Sequence, residues 1–180
     1  MSLKRHFELM ATYNRWMNAK VYDAASKLDK ETLHADKGAF FGSVFSTLNH
    51  LMVADTIWLK RFADHPAHFA ALEPAHELPM PHALNQPLHC ELPSLHKARE
   101  GMDEMIVKFV GETTDSDFEQ PLSYKNTKGE PYVRQFGPLL QHFFNHQTHH
   151  RGQITTLLTQ SGVDVGVTDL AALVPEWQQP

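Results

Sequence analysis

The chain has 180 residues, enough for one well-buried domain and short for two, so we expect a single domain over residues 1–180. Its 42% hydrophobic and 21% charged residues exclude a disordered chain, a collagen-like repeat and a disulfide scaffold. The net charge of -5 comes without a run of lysine or arginine, which argues against a nucleic-acid-binding protein. Histidine is unusually frequent, with 13 residues, and four of them fall between His142 and His150.

The sequence also bears on the compartment. No stretch approaches the ~20 apolar residues of a membrane-spanning helix, and residues 1–9 lack the apolar core of a signal peptide. Cys90 is the single cysteine and cannot form an internal disulfide, which suits a reducing compartment. We therefore expect a cytoplasmic protein without a membrane segment.

Four segments carry apolar residues at every third or fourth position, the pattern of amphipathic helices. The predicted helices one to four run from Leu3 to about Leu28, from Ser43 to about Phe62, from Ser94 to about Thr113 and from Pro138 to about Gln160. Ser43 is a suitable N-cap for helix two, and Pro138 suits the first turn of helix four.

Two further segments separate these helices. Residues 63–93 lose the helical periodicity and are rich in proline, so we expect a long connection that lets helix three run parallel to helix two. Turn residues 126–129 stand between β-forming segments and predict a short β-hairpin before the last helix. The predicted fold class is all-α, a four-helix bundle with one long crossover.

Two histidines of helix four fall within its apolar stripe. At about 100° per residue, His146 and His150 project on the same side as Leu139, Phe143 and Leu157. Two imidazoles one turn apart in an apolar interior need partners for both ring nitrogens, and a divalent cation bound by both satisfies that need. The pattern favours a metal site, and the alternative is a pair of hydrogen-bonded core histidines.

A specific site needs at least a third ligand, and His50 is the only histidine in the body of helix two. The alternative for His50 is a helix-flank histidine bonded to a backbone carbonyl. His142 and His149 lie at the edge of the stripe as rim residues, although His142 could replace His150 in another register. None of the four predicted bundle helices contains a Glu-x-x-His motif, and His-Glu-x-x-His and Cys-x-x-Cys are absent from the sequence, so ferritin-like di-iron centres, zincins and zinc fingers are excluded.

The segment Asn145–Gln153 resembles the Asn-His-x-x-His-His-Arg-Gly-Gln motif of the DinB-like metalloprotein superfamily. Residues 13–18, the segment from Asn49-His50 through Asp55 to Trp58, and the hairpin at 124–129 are also similar to that superfamily. The resemblance covers most of the chain, and the proline-rich connection contributes least to it.

This resemblance implies a bacterial protein with an up-down-down-up helix bundle, a homodimer and a divalent metal ion held by His50, His146 and His150. Zinc or nickel is the implied metal, and neutral imidazoles suit either. Characterised relatives resemble transferases or isomerases that use low-molecular-weight thiols, so a thiol co-substrate is implied as well.

The leading hypothesis is a metal-dependent enzyme that activates a low-molecular-weight thiol for attack on an electrophilic small-molecule substrate. Three protein ligands leave one coordination position open, as catalytic sites do. Tyr13, Asn49, Asn145 and Gln153 are candidate orienting residues, and no general base stands near the motif. Two alternatives stay open: a metal-dependent hydrolase that uses water, and a non-catalytic metal-binding stress-response protein, which a fourth protein ligand would favour.

The predicted helices also bear on association. Helix two has a single narrow polar strip, formed by Asn49, Thr56 and Lys60, and Trp16 lies off the core stripe of helix one. Spare apolar surface of this kind favours a two-fold contact between identical chains. We expect a homodimer through helices one and two, and the alternative is a monomer in which the proline-rich connection covers this surface.

Overall fold

The computed structural model describes residues 2–177, which are mostly helical. The α-helices in this part of the chain are α1 (Leu3–Ala25), α2 (Lys30–His34), α3 (Val44–Ala63), α4 (Glu73–Glu77), α5 (Leu92–Glu112) and α6 (Phe136–Gln160). Strands β1 (Pro121–Lys125) and β2 (Pro131–Gln135) pair antiparallel, with Ser123 opposite Val133. The mostly helical class and the hairpin before the last helix are confirmed.

The four long helices begin and end close to the predicted residues. Ser43 caps α3 as expected, because its side chain accepts a hydrogen bond from the backbone N–H of Ser46. Helix α5 begins at Leu92, before the predicted Ser94, since Pro93 fits a first turn where its missing N–H costs nothing. Helix α6 likewise begins at Phe136, before Pro138.

The long helices pack side by side around one apolar core. Helix α1 contacts α5 and α6, and α3 contacts α6 and, less extensively, α5. Phenylalanine rings fill one end of the core, where Phe62 meets Phe136 edge-on at 5.3 Å and Phe143 at 5.8 Å. This packing holds α3 and α6 against each other and brings their histidines within reach.

Residues 64–91, the connection between α3 and α5, lie along α3 and bury it. Most residues of α3 are buried within the single chain, as its narrow polar strip predicts. The Lys60 ammonium, from that strip, donates to the carbonyls of Ala75, His76 and Leu78 at 2.7–3.1 Å. The connection therefore contributes to the burial of α3 within the chain.

The residues after α6 cover part of α1 in a similar way. The Tyr13 hydroxyl donates to the backbone carbonyl of Thr168 at 2.7 Å, and a short 3₁₀ helix at Leu170–Leu173 contacts α1. Trp16 is half-buried against the core. Within residues 2–177, no helix is long and apolar enough to cross a membrane.

Candidate metal site

Three histidine side chains converge where α3 and α6 face each other. His50 extends from α3, while His146 and His150 extend from adjacent turns of α6. The Nε2 atoms of His50 and His146 are 3.3 Å apart, and the Nε2 atom of His150 lies 3.1 Å from each of them. His50 and His150 are buried, whereas His146 is partly exposed. We call these residues the three-histidine cluster.

The second ring nitrogens show how two of these imidazoles are oriented. The Nδ1 atom of His50 lies 2.8 Å from the carbonyl oxygen of Leu84, and the Nδ1 atom of His150 lies 2.8 Å from Oε1 of Gln153. Each Nδ1 faces an acceptor and so carries the proton of the neutral ring, which leaves a lone pair on Nε2. Two Nε2 lone pairs then face each other at 3.1 Å, an arrangement that requires a proton or a cation between them.

Burial disfavours the proton. It lowers the pKa of all three imidazoles below the ordinary value of 6.5, and the pKa of His146 falls to about 3. The neighbouring imidazoles lower the pKa of His146 and His150 further, because two imidazolium ions would repel each other at this distance. Neutral rings with converging lone pairs are the form in which histidine binds a metal ion.

The dimensions of the cluster fit a small divalent ion. Nitrogen ligands at ~2.0–2.1 Å from a tetrahedral zinc ion are about 3.3 Å from one another. The three separations of 3.1–3.3 Å match that edge closely. Among the described residues, no further histidine, cysteine or carboxylate joins the group.

The DinB family profile matches residues 1–179. The chain belongs to the DinB family. It is also similar to Protein DinB of Bacillus subtilis (strain 168), with 27% identity over 157 residues that cover 87% of each chain. No solved structure matches the chain significantly.

The four candidate orienting residues of this DinB-family chain occupy different positions. Only Gln153 contacts a member of the cluster, through the bond to His150 described above. Asn49 binds the connection: its Oδ1 accepts from the backbone N–H groups of Leu88 and His89. Tyr13 binds the residues after α6, and Asn145 is exposed.

The two other histidines of this part of α6, His142 and His149, lie outside the cluster. Both are exposed, and the His142 ring packs edge-on against Trp58 at 5.2 Å. It is therefore His150, and not His142, that joins His50 and His146. A further ring from the loop before α3 closes one side, where Phe41 stacks on His50 at 3.8 Å.

A buried ion-pair network lies in the core beside the cluster, and sequence reasoning missed it. The Arg99 guanidinium of α5 bonds Asp55 of α3 at 2.5 Å and lies 2.9 Å from Asp103. All three side chains are almost fully buried. Burial raises the pKa of Asp55 to about 6, although the Arg99 charge opposes this shift.

The same network extends to α1 through a second buried arginine. Arg151 bonds the side-chain oxygen of Asn14, while Asn18 donates to the Asp103 carboxylate at 2.9 Å. Gln147 links this group to Asp55. Because Gln147 and Arg151 each follow a cluster histidine directly, the network fixes the rotation and register of α6. Asn14, Asn18 and Arg151 all belong to segments that resemble the DinB-like superfamily. The sequence did not indicate their role because the side chains that they bond lie on other helices.

Proposed function

We propose that this DinB-family protein binds one divalent metal ion through His50, His146 and His150. The observation that carries the proposal is the convergence of three Nε2 atoms within 3.3 Å, two of them on rings whose Nδ1 atoms face acceptors. Zinc and nickel both suit three neutral imidazoles. Leu84 and Gln153 would then hold two of the ligands in a fixed tautomer and orientation.

We further propose that the site is catalytic. Three ligands leave a tetrahedral ion one open position, whereas structural zinc sites are closed by four protein ligands. His142 and His149 are the nearest further candidates by sequence, and both are exposed and outside the cluster. The partly exposed His146 marks the side on which a small molecule can approach.

The reaction we propose is the transfer of a low-molecular-weight thiol to an electrophilic small molecule. His50, His146 and His150 would hold the ion, which as a Lewis acid would lower the pKa of a bound thiol so that it ionises near neutral pH. The contribution of the chain is to orient the ligands, to wall the site with Phe41 and to keep the imidazoles neutral. Cys90 is exposed and outside the cluster, so the reacting thiol comes from a co-substrate.

We also propose that α1, α3, α5 and α6 form the up-down-down-up bundle that the family resemblance implies. The contacts of α1 with α5 and α6, and of α3 with α6, support this arrangement. The length of the connection at residues 64–91 also supports it, because a parallel pair of helices needs a crossover as long as one helix.

Metal analysis of protein purified without a histidine tag tests the site. We expect about one divalent ion per chain, and substitution of His50, His146 or His150 by alanine should abolish stoichiometric binding. His34→Ala is the matched control, because His34 is an exposed histidine at the end of α2. Metal content that is unchanged in all three cluster variants would show that the ligands are wrong.

The activity has a separate test. Metal-loaded protein is incubated with a panel of bacterial low-molecular-weight thiols and monochlorobimane, a reaction that forms a carbon–sulfur bond and releases chloride. We expect thioether formation with wild-type protein and its loss in His146→Ala. A metal-loaded protein that hydrolyses esters but transfers no thiol would support the hydrolase alternative, and inactivity in both assays would support a non-catalytic role.

A further inference from the structure

A large cavity lies beside the three-histidine cluster and is built from three separate parts of the chain. Its volume is about 1130 Å³, sufficient for an organic molecule of ordinary cofactor size. Residues from the C-terminal half of α3, residues 80–84 of the connection and the β-hairpin all line it.

The cavity adjoins the cluster through two residues. Leu84 lines the cavity, and its carbonyl accepts the hydrogen bond from Nδ1 of His50. Ile57, also in the lining, follows His50 by two turns on the same face of α3, about 10 Å along the helix axis. The cavity lining therefore comes within about 10 Å of His50 along the axis of α3.

The cavity wall is cationic, although the chain as a whole carries a net charge of -5. Lys60, Arg61 and Lys125 line it together with a single acid, Asp64. None of the ion pairs formed among residues 2–177 includes any of these four side chains. The Lys60 ammonium bonds only neutral carbonyls, so its charge is not neutralised.

Arg61 is held in place by aromatic rings. Its guanidinium packs over Trp58 at 4.7 Å and over Tyr124 of the hairpin at 5.1 Å. Burial lowers the pKa of this guanidinium, as expected for a cation that has lost water without gaining a carboxylate. Stacking fixes the plane of the guanidinium and leaves its edge available for a bidentate anion.

The rest of the lining favours an apolar body. Met80, Leu84 and Val133 are large apolar side chains that are each about half exposed or more, and all three line the cavity. Tyr132 stacks on Tyr124 at 5.8 Å and extends the aromatic surface of the hairpin wall. Exposed apolar groups gathered around a cationic pocket are typical of a ligand site.

We propose that this cavity binds a small organic anion with a planar apolar body, and that Arg61 pairs with its carboxylate, sulfonate or phosphate group. The occupant is the electrophilic substrate of the thiol reaction, and only this identification of the occupant rests on the proposed function. Binding of the anion itself needs no metal ion.

Fluorescence titration with two matched dyes tests the proposal. The anionic probe is 8-anilinonaphthalene-1-sulfonate, and the neutral probe is N-phenyl-1-naphthylamine, which has the same rings without the sulfonate. We expect the anionic dye to bind more tightly, and Arg61→Gln to weaken it about tenfold through the loss of a charge-assisted hydrogen bond. The neutral dye should bind the variant and the wild type equally.

Two controls make the outcome specific. Arg15→Gln removes an exposed arginine that pairs with Glu104 and does not line the cavity, so it should leave the affinity for both dyes unchanged. Lys125→Gln changes an exposed strand residue of the cavity wall and should lower the affinity for the anionic dye a few-fold. This variant keeps the proposal testable if Arg61→Gln does not fold. Equal affinity for both dyes, or an anionic dye indifferent to the cavity variants, would overturn the proposal.

The titrations are run on chelator-treated and on metal-loaded protein. Anion binding in both forms, with no metal-dependent thiol transfer, would leave the cavity proposal intact and reject the proposed function. Stoichiometric metal binding and thiol transfer, with no preference for the anionic dye, would support the proposed function and reject the cavity proposal.

Discussion

At the scale of single residues, His50 illustrates how one imidazole is constrained from all sides. Leu84 accepts from its Nδ1, Phe41 stacks on its face, and its Nε2 faces His146 and His150. Its sequence surroundings favoured a metal ligand and left a helix-flank histidine bonded to a backbone carbonyl as the alternative. The structure combines a backbone carbonyl partner with a place in the cluster, since an imidazole has two nitrogens for two purposes.

Removal of the acceptor beside His150 should weaken metal binding. In Gln153→Leu the Nδ1 atom of His150 loses its partner, so neither the tautomer nor the ring orientation is fixed. We expect a 10–100-fold loss of metal affinity, measured by competition with a chromophoric chelator. The matched control is Gln160→Leu, at an exposed residue of the same helix. Equal affinities of the two variants would contradict this role of Gln153.

His65 should make the stability of the fold depend on pH. It is fully buried between Phe69 and Phe136, and its Nδ1 accepts from the backbone N–H of Ala67. Burial lowers its pKa below 6.5; nearby Asp117 raises it by less, and His68 lowers it further. Below pH 6.5 the unfolded chain therefore binds the proton more readily than the folded chain, and stability falls with falling pH.

The measurement is urea unfolding of the metal-free protein between pH 7 and pH 5. His65→Phe keeps an aromatic ring at the position and removes the titrating group. We expect the free energy of unfolding of the wild type to fall relative to that of the variant as the pH decreases. Parallel pH profiles for the two proteins would exclude His65 as the source.

At the scale of elements, α6 connects the candidate site to the buried network. One side of the helix presents His146 and His150, and the residues directly after them, Gln147 and Arg151, bond to α3 and α1. Two buried arginines, Arg99 and Arg151, thereby balance two buried carboxylates. This arrangement gives α6 a single register, because a slip of one residue would bury charges without partners.

Removal of the central cation should destabilise the fold strongly. Arg99→Met removes the cation that pairs directly with both Asp55 and Asp103, which costs about 3–5 kcal/mol in free energy of unfolding. Arg15→Met is the matched control, because the Arg15–Glu104 pair also joins α1 to α5 but is exposed and contributes at most about 1 kcal/mol. Urea denaturation at pH 7 measures both, and similar losses would show that the buried network carries no special weight.

Local pattern predicted some elements and not others, for physical reasons. The long helices and the His146–His150 pair follow from apolar periodicity, which needs several turns to be visible. Helices α2 and α4 have five residues each, too few to show a period, and were missed. The Asp55–Arg99 pair joins residues 44 positions apart on different helices, so no spacing rule could indicate it.

At the scale of the whole molecule, the chain covers its own apolar surfaces more completely than the sequence indicated. The connection covers α3, and the residues after α6 cover part of α1, where Tyr13 bonds Thr168. The composition of α3 predicted a buried helix correctly. It could not tell whether the covering surface comes from the same chain or from a second one.

We predict a homodimer through α1 and α3, as the family resemblance also implies. The expected result is a mass of two chains by light scattering at micromolar concentration, independent of whether metal is bound. Dilution into the nanomolar range should then reveal dissociation. A mass of one chain at micromolar concentration would reject the dimer and favour the monomer that the covering segments make possible.

Leu84 couples the cavity to the three-histidine cluster thermodynamically. Leu84 lines the cavity and its carbonyl accepts the hydrogen bond from Nδ1 of His50, so an occupant that displaced residues 80–84 would perturb the cavity and the cluster together. Linkage requires that any factor by which an occupant changes metal affinity is returned as the same factor by which the metal changes affinity for that occupant. The change in metal affinity on saturation of the cavity and the change in anion affinity on loading of the cluster would then measure the same coupling free energy.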